Sequence, residues 1–141
     1  MKILRNFIYV LFFIAVLILE ILIGIIGEFP EIRILPFLIL LFFISLNRFS
    51  NSFIFAFFFS GIYYDLFYTS NYFGSTSAKY ISIGIIVNFL NTKLNDDLLS
   101  EFLLFFAAAL IYKFDSIIYS FSIYQLTIIL LISVVNYFLF K

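Results

Sequence analysis

Four charged residues stand inside apolar runs or at their ends: Glu20, Asp65, Lys79 and Lys113. A charge within hydrocarbon is expensive, so such residues mark either an ion or proton path or a paired structural group. Asp65 is the most informative of the four. Gly61 lies four residues before it, so on a helix the two share a face. A glycine beside a carboxylate points to a packed internal surface, because glycine lets a neighbouring helix come close. Beyond a short polar turn, Gly74 opens the next apolar run and Lys79 follows it. In a hairpin turning at Thr69 to Phe73, Asp65 and Lys79 fall at similar depth in antiparallel helices. The expectation is a buried pair, with Tyr or Ser hydroxyls as the alternative partners of Asp65. Glu20 has no such neighbour, and either a polar groove or the lipid interface would accommodate it.

Catalysis finds little support in these residues. Intramembrane aspartyl proteases use two Asp, one in a Tyr-Asp pair; Tyr64-Asp65 has that form, but no Gly-x-Gly-Asp follows. Lipoprotein signal peptidases also need two aspartates within the membrane, whereas Asp96, Asp97 and Asp115 fall in loops or at a run's end. One carboxylate cannot divide acid and base roles. There is no Gly-rich phosphate loop. Cys and His are both absent, which removes thiol chemistry and leaves a poor transition-metal set. The expectation is therefore no catalytic site, no metal and no cofactor.

The elements that position these residues are apolar helices. Of 141 residues, 65% are hydrophobic and 11% charged, against about half and about a quarter in a soluble domain. A core of this size cannot hide the excess, so the chain reads as a membrane protein forming a single domain over residues 1–141. Zero formal net charge gives no support for nucleic-acid binding. Lys2 and Arg5 precede an apolar run from Phe7 to Ile26, long enough to span. The run carries Glu20 and lacks an A-x-A-like cleavage site, favouring an uncleaved anchor over a signal peptide. Gly27, Glu28, Pro30, Glu31 and Arg33 then make a loop. A second run, Ile34 to Leu46, has Pro36 in its first turn. It is short for a span, so either Arg33 and Arg48 snorkel or the helix sits in a thinned or protein-lined region.

After a polar turn at Asn47 to Asn51, the third and fourth spans run from Ser52 to Tyr68 and from Gly74 to Leu90. The polar loop Asn91 to Asp97 offers Asn95 or Asp96 as a helix cap. The fifth span runs from Leu98 to about Phe114. Asp115-Ser116 marks a turn or helix end, and Ile117 to Phe140 includes the sixth span. The expected fold is an all-α, polytopic membrane bundle of about six transmembrane helices, chain neighbours antiparallel. With six spans, Lys2, Arg5, Arg48, Lys93 and Lys141 on one side, against Arg33 and Lys113 on the other with Lys79 buried near it, favour both termini in the cytoplasm; five spans would put Lys141 outside and weaken the count only slightly.

Residues 30 to 94 carry a resemblance. Pro36 near the head of the second run, Arg48-Phe49 before the third, Gly61-x-x-x-Asp65-Leu66, Ser70 in the turn, Phe73-Gly74 and Asn88-Phe89-Leu90 occur in order. This pattern resembles the rod shape-determining protein MreD family. The first span and the last two match only as apolar helices. The turn lacks the extra glycines often seen in that family, and Lys79 is polar where its helix is largely apolar. The resemblance implies a non-catalytic inner-membrane component of the bacterial elongation machinery. It implies an MreC-like single-helix partner, association with MreB, RodA and a class B penicillin-binding protein, and a role in rod shape. Gly61, Asp65, Leu66, Gly74 and Lys79 would form a packing or partner face.

Two other function classes stand beside this one. The substrate-binding subunits of energy-coupling-factor vitamin transporters have about six helices and similar size. They usually carry Ala-x-x-x-Ala on the first helix, where this chain has only Ala15. A ligand pocket also wants convergent polar groups, and the sequence offers few. An ion-coupled carrier using Glu20 or Asp65 is the third class. A neighbouring MreC-like gene would favour the first reading, a pair of ATPase genes the second.

Overall fold

Long apolar runs broken by short polar turns fold here into helices throughout. The computed structural model describes residues 2–27, 33–47, 49–68, 72–94, 97–119 and 122–141. Among them are seven α-helices and no strand: α1 (Lys2–Ile26), α2 (Pro36–Asn47), α3 (Asn51–Phe67), α4 (Ser75–Asn91), α5 (Leu98–Tyr112), α6 (Phe114–Tyr119) and α7 (Ile123–Phe140). Glu28, Pro30, Glu31, Arg48, the turn residues Thr69 and Ser70, and the expected caps Asn95 and Asp96 lie outside the described residues.

The short second run is the centre of the molecule. α2 touches α1, α4, α5 and α7. Leu35, just before it, and Phe37, Leu38, Leu41, Phe42 and Ser45 within it are fully buried. A helix apolar on every side needs an apolar surround, and for α2 protein supplies it, as a protein-lined site requires. At 12 residues it is about 18 Å long, too short to cross a bilayer unaided but sufficient for an enclosed strut. Around it the core is aromatic. Phe13 meets the rings of Phe37 and Phe57 at 6.1 and 5.3 Å, and Phe42 meets Phe105 edge-on at 5.0 Å. Such tilted pairs add to the area they bury. The buried hydroxyls of Ser45, Ser60 and Ser133 donate to the carbonyls of Leu41, Ala56 and Ile129 one turn back, so none needs a tertiary partner.

α1 and α7 are long and apolar enough to cross a membrane; α2 and α5 are apolar but shorter. The outer face of α1 exposes Ile3, Leu4, Phe7, Ile8 and Leu11, and that of α7 exposes Phe138 and Leu139. Continuous apolar surface of this kind belongs against lipid or protein.

The structure departs from the sequence reading in three places. Asp115 and Ser116 lie inside the short helix α6, so the last apolar stretch is two helices with a break before Ile123. The cap of α5 is Asp97, whose carboxylate accepts from the Ser100 N–H at 3.3 Å. Chain order also fails to set all the neighbours: α3 packs chiefly on α1 and α4, while α2 sits against α4.

Candidate functional site

The α3–α4 hairpin gathers the residues that the sequence singled out. Asp65 is buried near the end of α3. Its Oδ2 accepts from the N–H groups of Gly74, at 2.8 Å, and Thr76, at 3.2 Å. These are among the first amides of α4, which no carbonyl of their own helix can reach. A carboxylate there also meets the positive end of the helix dipole. Gly74 is the N-cap of α4, with φ +89°. A Cβ would meet nothing there within 4 Å, so its backbone conformation, not space, calls for glycine. At Gly61 space decides: a Cβ would fall 2.4 Å from both N and Cα of Ser77 on α4. The Ser77 hydroxyl donates to the Phe58 carbonyl at 2.8 Å across the same contact. Leu66 points outward and is exposed.

The partner expected for Asp65 is elsewhere. Lys79 forms its ion pair with Asp115 on α6. Facing separates the two, since each residue turns a side chain by about 100°. Lys79 is thereby directed to α6, and Asp65 to the backbone that opens α4.

Glu20 repeats this arrangement one hairpin earlier. It is 5% exposed. Its Oε2 accepts from the Phe37 N–H in the first turn of α2 at 2.8 Å, and its Oε1 from the Tyr112 hydroxyl at 2.5 Å. Of the two settings open to Glu20, a polar groove and not the lipid interface is the one found. The lead into α2 is held from the other side by Asn136 on α7. Its Oδ1 accepts from Leu35 N–H at 2.6 Å, and its Nδ2 donates to Arg33 O at 3.0 Å and Ile132 O at 2.8 Å. Buried backbone outside a helix needs partners of this kind for its N–H and C=O groups. Asn136 is a residue that sequence reading passed over; its signal was an amide in an otherwise apolar run.

Glu20 also lines a pocket of about 200 Å³. Arg33, Lys79, Lys113, Thr76 and Asp115 share it, with the rings of Tyr64, Tyr80 and Tyr112 as walls. Tyr80 and Tyr112 stack at 5.7 Å. The sequence offered few convergent polar groups; the fold brings five charged residues to one space, drawn from α1, the α2 lead-in, α4 and the α5–α6 corner. Sequence reading takes Arg33 as a loop residue, a snorkelling candidate and a topology marker, and not as part of a polar site. Among the described residues no cluster of three or more metal-ligating side chains occurs.

No family model matches the chain, and neither a curated protein nor a solved structure matches it.

Proposed function

We propose that this protein is an MreD-like, non-catalytic scaffold of the bacterial cytoplasmic membrane. In this reading it binds an MreC-like single-helix protein and works beside MreB, RodA and a class B penicillin-binding protein in rod-shaped growth. α1 to α5 and α7 are its six spans, α6 lies near the interface, and both termini are cytoplasmic. The observation that carries the reading is the α3–α4 hairpin. Gly61, Asp65 and Gly74, on which the resemblance rests, act there as one structural unit: a close helix crossing, a carboxylate cap and a left-handed turn. A sequence pattern whose members cooperate physically is a firmer basis than the same letters scattered.

The convergent polar pocket favours a second reading, a small-molecule-binding transporter subunit. Its volume of about 200 Å³ falls below the roughly 300–1,000 Å³ of sites that enclose drug-sized ligands, so a vitamin fits it poorly. Co-purification in mild detergent from the native bacterium separates the two. The scaffold should bring along a single-span MreC-like protein, and depletion should round or widen rod-shaped cells. Recovery of an ATPase pair instead, or vitamin uptake by the purified protein, would reject the scaffold.

A further inference from the structure

We propose that the pocket between the end of α1, the start of α4 and the α5–α6 corner binds a phosphate-bearing anion, supplied in the membrane by the headgroup of an acidic lipid. The charges come first. Three cations, Arg33, Lys79 and Lys113, share the pocket with two carboxylates, Glu20 and Asp115. Lys79 is matched to Asp115. Both oxygens of Glu20 already accept, one from the Phe37 N–H and one from the Tyr112 hydroxyl. Arg33 and Lys113 have no salt-bridge partner among the described residues.

The unclaimed donors come second. The Arg33 Nε is buried and without a hydrogen-bond partner, and so is the Thr76 Oγ1, on a residue 2% exposed. Buried polar groups are nearly always bonded, so each orphan implies a missing partner. A guanidinium, an ammonium and a hydroxyl facing one space call for a compact group rich in acceptors and negatively charged. A phosphate has that chemistry, and the planar fork of arginine suits it. With Glu20 counted against them, Arg33 and Lys113 leave the pocket one net positive charge, which would repel a cation and which a neutral ligand would leave unmatched.

Size and surroundings suggest the source. The volume suits a headgroup phosphate, with the acyl chains outside. The end of α1 beside the pocket exposes Leu22, Ile25 and Ile26 to receive them. The arginine is also seated: a Cβ at Gly24 would lie 2.0 Å from its Nη1, so glycine on α1 leaves room for the guanidinium. The competing account makes Arg33 and Lys113 distant counter-ions of Glu20, with no ligand.

The test uses the purified full chain in neutral detergent and follows thermal unfolding. Short-chain phosphatidylglycerol, short-chain phosphatidylcholine and inorganic phosphate are titrated separately, since a ligand of the folded state raises the midpoint by mass action. Phosphatidylglycerol should raise it saturably, at about one-tenth of the concentration that phosphatidylcholine needs. Inorganic phosphate should act in the same direction at higher concentration; if it matches phosphatidylglycerol, the anion is a soluble phosphate and the site stands. Arg33→Gln and Lys113→Gln should each weaken apparent affinity about tenfold, as for loss of one charge-assisted bond. Thr76→Val and Gly24→Leu remove no charge and should weaken it too, so they carry the test if the charge variants do not fold. Equal midpoints with both lipids and none with phosphate would overturn the proposal. Wild-type affinity in the variants that fold would do the same.

Discussion

The Tyr112 hydroxyl on α5 donates to Glu20 on α1 at 2.5 Å, across 92 residues of sequence. The same carboxylate receives the Phe37 N–H that opens α2. One side chain therefore ties the first helix to the central one and to the fifth. Asp65 performs the equivalent task for α4. The two buried carboxylates are thus placed where helices begin, where unpaired amides and the dipole favour an anion.

Removal of Glu20 should be more damaging than removal of its partner's hydroxyl. Glu20→Ala leaves both the Phe37 amide and the Tyr112 hydroxyl without an acceptor, at about 1–3 kcal/mol for each unsatisfied group. Tyr112→Phe deletes one donor and leaves the bond to α2. The double variant should then lose less than the sum of the two. Unfolding free energies measured in detergent check the order; a strictly additive pair would break the link.

Asp65 and Lys79 should behave as separate interactions. Asp65→Ala strips the carboxylate acceptor from Gly74 N–H and Thr76 N–H, a loss of about 1.5–3 kcal/mol for bonds to a charged group. Asp65→Asn retains an oxygen and should lose less. In double-mutant cycles the larger coupling is expected for Lys79 with Asp115, at about 1 kcal/mol or less because the Asp115 side chain is 41% exposed. A larger coupling of Lys79 to Asp65 would contradict the arrangement.

The two helix-packing glycines should differ in tolerance. An added Cβ at Gly61 meets the Ser77 backbone at 2.4 Å, which only a shift of α4 can relieve. At Gly84 it meets ring atoms of Phe49 at 2.7 Å and Phe57 at 3.0 Å, and rings can turn. Gly61→Ala should therefore lower folded yield by more than Gly84→Ala, with a cost of about 1–3 kcal/mol typical of overpacking. The reverse order would place the tight crossing elsewhere.

Acid should loosen the start of α5. Hydrogen bonding to Ser100, through its side chain and then its backbone N–H, holds the Asp97 carboxyl below its ordinary value of 3.8. A depressed acid stabilises the fold fully above the unfolded value and loses that contribution as pH falls through the lower, folded one. Amide exchange at Ser100 should therefore accelerate only below about pH 4. Asp97→Ala should show the faster exchange at neutral pH and lose the acid step; an unchanged profile would mean the cap is not made.

Orientation is open to a direct check. On the proposed topology, which the lysine and arginine distribution favours, reporter fusions after Lys93 and after Lys141 should both read cytoplasmic. A periplasmic signal at either would reject six spans with cytoplasmic termini.

Composition and the runs of apolar residues were sufficient to define an all-helical chain, because apolar runs separated by polar turns have few other solutions. The spacing of Gly61, Asp65 and Gly74 was also legible, since a helix and its next turn keep such neighbours together whatever the rest does. Only the tertiary structure decided that α2 is the buried centre: its sequence is apolar all round, so no face announces a neighbour. Only it decided which group meets Asp65, where a rotation of about 100° per residue separates Lys79 from the amides of Gly74 and Thr76. The pocket was least legible of all. Glu20, Arg33 and Lys113 are far apart in the chain, and their meeting depends on how α1, α2 and α5 pack, which no local pattern encodes.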